Sequence, residues 1–117
     1  MTEEQHQKNL FKWAGYARAE HPELGLMYHP PNESKRSVSQ GGRLVATGMK
    51  RGVPDICLPV PRGGFGSLYI ELKTERGRVT RDQREWIEAL NKAGNYAVVA
   101  WGWENARAVI LAYLMQT

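Results

Sequence analysis

A chain of 117 residues, 42% hydrophobic and 24% charged, is sized for one globular core and carries no internal repeat or low-complexity tract. No apolar run is long enough to span a bilayer and none reads as a signal peptide; the single cysteine, Cys57, permits no internal disulfide, so a reducing cytoplasm is the expected compartment. The net charge is only +4, but positions 35 to 81 hold ten Lys or Arg against three acids, Asp55, Glu71 and Glu75, the clustering expected of a surface that meets a phosphate backbone.

In chain order, the first element is a helix from the N-cap Thr2 to about Ala19. Glu3 and Gln7 fall in line with Leu10, Ala14 and Ala17 at helical spacing, so they extend the inward stripe, whereas Glu4 follows Lys8 and Phe11. Glu3 is therefore the acid placed to reach an interior site; the competing role is that Glu3 and Glu4 only complement the helix dipole. Pro22 and Gly25 end this segment. Leu26-Met27-Tyr28 then gives a short strand, halted by His29-Pro30-Pro31-Asn32. Lys35, Arg36 and the 37–42 stretch are loop-like, with a second short helix expected over 40–49.

Two motifs organise the centre. Gly52-Val53-Pro54-Asp55 opens the apolar run Ile56-Cys57-Leu58, and Ser67-Leu68-Tyr69-Ile70 runs into Glu71-Leu72-Lys73. The intervening 61–66 segment holds three glycines and suits a hairpin, so the two strands are expected as neighbours. Alternation puts Tyr69, Glu71 and Lys73 on one face and Leu68, Ile70 and Leu72 on the other, with Asp55 on the polar side beside Glu71. Two carboxylates about 4 Å apart repel by roughly 1 to 4 kcal/mol, and a divalent cation reverses that sign. Hard oxygen ligands suit Mg²⁺. Lys73 beside such an ion could hold the attacking water and offset negative charge. Cys57, in the apolar run, is expected as a core residue and not a nucleophile.

The charged loop at 74–79 follows, and then Thr80-Arg81-Asp82-Gln83 fits a capping box before a helix to about Ala93. Trp86, Ile87 and Leu90 share a face that packs toward the sheet; Gln83 serves the cap or turns toward the site. Gly94-Asn95 ends the helix, Tyr96-Ala97-Val98-Val99-Ala100 is an apolar strand, and a last helix from Trp103 to Met115 buries Ala106, Val109, Ile110 and Tyr113. The four tryptophans are expected in the core or an interface and not as base-stacking platforms, and His6, His21 and His29 lack metal-finger spacing.

Glu3 with Gln7, the loop at 32–36, Gly52-x-Pro54-Asp55, Glu71-x-Lys73 and Thr80-x-x-Gln83 with Trp86 together resemble the VRR-NUC domain, a virus-type branch of the PD-(D/E)XK nuclease superfamily, in the stand-alone form of phages and prophages. The resemblance runs from Glu3 to about Leu114. It implies an α/β fold with a restriction-endonuclease-like core, a mixed central sheet flanked by helices, in the order α-β-(α)-β-β-α-β-α. It implies a DNA endonuclease using Mg²⁺ or Mn²⁺, with Asp55, Glu71, the Leu72 carbonyl and Glu3 as metal ligands, Lys73 acting on the water and Gln83 near the active centre. One departure is Asn32-Glu33 where some relatives have Asn-Gly. Asn32, Lys35, Arg36, Lys50, Arg51, Arg76 and Arg78 are the candidates for DNA contact, and similar small enzymes suggest a homodimer cleaving branched DNA such as four-way junctions or flaps. Competing readings are a catalytically silent DNA-binding module, which intact Asp55, Glu71 and Lys73 argue against, and a nuclease built on His29 with Asn32.

Overall fold

Helix α1 (Glu3–Ala17) starts where the sequence places it. The Thr2 hydroxyl accepts the Gln5 amide N–H and the Gln5 side chain accepts the Thr2 N–H, a reciprocal cap that satisfies two otherwise orphaned donors. Its buried stripe is His6, Leu10 and Ala14. In this computed structural model residues 1–31 and 46–117 are described. Asn32, Lys35, Arg36 and residues 40–45 of the helix expected over 40–49 lie outside the described residues.

The expected strand at Leu26-Met27-Tyr28 gives way to a 3-10 helix, Pro22–Leu26, followed by one isolated bridge between Tyr28 and Cys57. Proline at the first turn favours the helix, and Pro30 and Pro31, having no N–H to donate, stop the pairing after that bridge.

Three strands form one mixed sheet among the described residues: β1 (Ile56–Leu58), β2 (Leu68–Lys73) and β3 (Tyr96–Trp101), in that spatial order. β1 and β2 are antiparallel neighbours, as the hairpin expectation requires. Their connection tightens at Arg62-Gly63-Gly64-Phe65, where both glycines have positive φ, +58° and +85°, and Arg62 and Phe65 exchange backbone hydrogen bonds. That is the type I′ geometry which only glycine adopts freely at both central positions. β3 runs parallel to β2, which requires a crossover, and helix α2 (Arg81–Lys92) supplies it.

One face of the sheet is the core. Ile56, Leu58, Leu68, Ile70, Leu72 and Ala100 pack against Leu10 and Ala14 of α1 and against Ala106, Ile110, Tyr113 and Leu114 of the last helix, α3 (Trp103–Leu114). By alternation and register, Cys57, Tyr69, Glu71, Lys73, Ala97, Val99 and Trp101 take the opposite face. Helix α2 lies beside β3 with Trp86, Ile87 and Leu90 half-buried. Its Asn91 amide bonds both the N–H and the C=O of Ala97 at 2.9 Å, so the outer edge of β3 is partly closed by a side chain that imitates a strand.

Candidate active site

The hairpin register sets up the site. Pairing of Ile56 with Ile70 carries Asp55, one residue earlier, opposite Glu71, one residue later. Asp55 is fixed there because its Oδ2 accepts the Leu72 amide N–H at 2.9 Å. The half-buried His29 holds the same residue from outside: a carbonyl can only accept, so His29 Nδ1–H donates to Asp55 C=O at 2.6 Å. Glu3, on the first turn of α1, completes the group. One carboxylate oxygen from each of Glu3, Asp55 and Glu71 lies within 4.8 Å of the others.

Three charged side chains here are nearly sealed from water: Asp55 is 3% exposed, Glu71 1% and Lys73 6%. Lys73 Nζ stands 3.7 Å from Glu71 Oε2, and the Gln83 amide donates to that same oxygen at 3.1 Å. Gln83 thus does both things the sequence left open, because its Oε1 accepts the Thr80 N–H of the capping box while its Nε2 turns to the site. Among the described residues, the buried Glu71 Oε1 finds no hydrogen-bond partner. An orphaned buried carboxylate oxygen is costly. Desolvation first, then the negative charge of Asp55, push the Glu71 carboxyl up to about 9, against the pull of Lys73.

The donor set fits a small divalent cation: three hard oxygen donors, one of them orphaned, in a dry place beside one ammonium. Without a cation, Glu71 keeps its proton at neutral pH. Unfolded, that carboxyl ionises near 4.5; folded, near 9. Between those values the folded chain binds a proton the unfolded chain has released, so rising pH favours unfolding across that window. The metal-free protein should accordingly melt at progressively lower temperature from about pH 5 to about pH 9. Because a bound cation takes the proton's place, added Mg²⁺ should raise the melting temperature more at about pH 8.5 than at about pH 6. Equal increments at the two pH values would contradict this account of Glu71.

Among the other sequence candidates, Gln7 is half-buried and borders a cleft with Thr2, Glu3, Glu4 and His29, while Lys50, Arg51, Arg76 and Arg78 are exposed. Two residues with site-supporting positions were missed. His6 is buried, and its Nδ1 accepts the Trp103 N–H at 3.1 Å, capping α3 where Gly102 has no side chain to do so. This ties the first turn of α1, which carries Glu3, to the loop after β3. The signal was legible in the bare Gly102 N-cap, but nothing in the sequence says which distant side chain replaces it. Trp101 is the second: it ends β3 exposed, paired in register with Lys73.

A mixed sheet whose adjoining strands deliver an aspartate, a glutamate and a lysine to one point, with helices around it, is the core of a PD-(D/E)XK nuclease. The chain matches the VRR-NUC domain over residues 2–103 and belongs to that family. A solved structure titled "VRR_NUC domain protein" is similar over 99% of this chain and 90% of its own, with 30% sequence identity and a TM-score of 0.86. Curated proteins give no match. Family membership makes this a nuclease domain of the PD-(D/E)XK type that acts on DNA.

Proposed function

We propose that the chain is a Mg²⁺- or Mn²⁺-dependent DNA endonuclease that selects branched DNA, such as four-way junctions or flaps, and works as a homodimer. The observation that carries the metal dependence is the convergence of Glu3, Asp55 and Glu71 beside Lys73, with one oxygen of Glu71 left without a partner among the described residues. Those three carboxylates and the Leu72 carbonyl would hold the cation. When bound, a divalent cation supplies polarisation of the scissile phosphate and a more acidic water. The protein's own contribution is positional. The Leu72 amide fixes Asp55, Gln83 orients Glu71, and the Lys73 ammonium holds the nucleophilic water and offsets charge developing on the phosphate. A silent DNA-binding module would have no use for a buried carboxylate cluster that destabilises the fold as pH rises.

The exposed Lys50, Arg51, Arg76 and Arg78 would take phosphates flanking the cut. Arg76→Ala and Arg78→Ala should each weaken DNA binding and lower the slope of log affinity against log salt by about 1. Unchanged slopes would remove the 74–79 loop from the contact surface. Selection of branches and the two-fold dimer belong together, since symmetry sets two active centres against opposite strands. Cleavage of matched linear, flap, fork and four-way substrates in Mg²⁺ tests the whole reading: faster cutting of the branched members is expected, and equal rates on linear duplex would defeat the selectivity.

A further inference from the structure

Trp101 ends β3 on the sheet face that carries the site, and the parallel register makes it the direct partner of Lys73. The residue is 42% exposed, whereas Trp13, Trp86 and Trp103 are all half-buried. An exposed indole beside a nearly sealed lysine forgoes a large share of the burial free energy such a ring can supply. The ring is nonetheless held. Its Nε1–H donates to the Gly77 carbonyl at 2.9 Å, and Gly77 itself lies so close to Lys73 that an added Cβ would stand 3.2 Å from Lys73 Cβ and Cδ. The indole is thus anchored, through its only polar atom, to the loop that bears the exposed Arg76 and Arg78.

Because that N–H is already committed, the ring cannot read a base edge by hydrogen bonding. What it still offers is a π-face in a fixed orientation, tied to the loop that carries Arg76 and Arg78 and paired in register with the lysine of the site. That combination suits a nucleobase freed from its own stack, bound without regard to sequence. Fixing the ring in advance also lowers the ordering cost of binding.

We propose that Trp101 is a stacking platform for an unpaired nucleobase beside the scissile phosphate, and that this contact makes DNA with unpaired nucleotides the favoured substrate. The inference rests on the reading of the site as that of a DNA nuclease and adds the feature of the substrate that is recognised. The competing role, that Trp101 only anchors the 74–79 loop, predicts different behaviour for two variants: Trp101→Phe keeps a ring and loses the hydrogen bond, and Trp101→Ala loses both.

The test uses three DNAs: a paired duplex, the same duplex with a short unpaired tail at its end, and that tailed duplex with abasic sites in place of the first unpaired nucleotides. Binding is read by fluorescence anisotropy in Ca²⁺ and cleavage by gel in Mg²⁺. The wild-type protein should prefer the normal tail over the abasic tail by about 10-fold or more, Trp101→Ala should erase most of that ratio, and Trp101→Phe should retain most of it. Equal binding of normal and abasic tails by the wild type overturns the proposal, and this arm needs no variant to fold. So does a parallel loss on all three DNAs in both variants, the outcome a loop anchor gives. If no DNA is cut in Mg²⁺ but the base-dependent ratio persists, the nuclease reading falls and the platform stands. If DNA is cut without that ratio, the platform falls and the nuclease reading stands.

Discussion

Asp55→Ala and Glu71→Ala should each lower DNA cleavage in Mg²⁺ by at least about 100-fold, the scale set by removal of one transition-state-stabilising group, while binding of the same DNA stays within a few-fold of the unmodified protein. Cleavage should collapse because Asp55 and Glu71 are the two carboxylates on adjoining strands, with Lys73 Nζ 3.7 Å from the latter. Binding should survive because both acids are buried, at 3% and 1% exposure, and the exposed arginines of the 74–79 loop are untouched. Glu71→Gln separates activity from stability. It keeps the shape of the side chain and removes the charge that desolvation and Asp55 oppose. The variant should be as inactive as the alanine form yet melt higher than the metal-free unmodified protein at about pH 8.5. A Glu71→Gln protein that still cuts would show that this carboxylate is not needed, and lower melting would mean that its ionisation does not strain the fold.

Gly52→Ala should have the largest effect on folding. Gly52 is buried with φ of +82°, and a Cβ there would meet the Asp82 backbone carbon and oxygen at 2.6 and 2.7 Å. Left-handed backbone costs a non-glycine residue about 1 kcal/mol, and forcing atom pairs apart in a packed place adds about 1 to 3 kcal/mol. The expected loss is therefore about 2 to 4 kcal/mol, a drop in melting temperature on the order of 10 °C. Activity should suffer beyond what unfolding explains. Asp82 sits in the first turn of α2 next to Gln83, so pushing the 52–55 loop off that turn shifts Asp55 and Gln83 relative to each other. A melting temperature within a degree or two of the unmodified protein would mean that the loop does not rest on α2 as described.

What the sequence made legible was local. Thr2 and Thr80 announce their helices through capping boxes, and strict alternation along Leu68–Lys73 puts Glu71 and Lys73 on one face, where they are found. The pairing of β1 with β2 followed from the glycine-rich connection. Glu3 was placed on the inward stripe by helical spacing, and it is the third member of the carboxylate group. What escaped was set by partners far apart in the chain. The three residues Leu26-Met27-Tyr28 have strand character, yet Pro22 and the Pro30-Pro31 pair leave them a 3-10 turn and a single bridge. His6 lies four residues before Leu10 on the buried stripe, but what satisfies its ring there is the Trp103 N–H, supplied by a helix at the other end of the chain. Trp101 reads with the other tryptophans as a core or interface residue, and only the register against Lys73 and the bond to Gly77 reveal its exposed position beside the lysine.

The carboxylate site is tested most directly by the anomalous density of Mn²⁺ in a crystal of the unmodified protein. A peak is expected within coordination distance of carboxylate oxygens from both Asp55 and Glu71, with Lys73 alongside. A fully occupied Mn²⁺ bound elsewhere, with those two carboxylates still turned toward each other and unliganded, would contradict it.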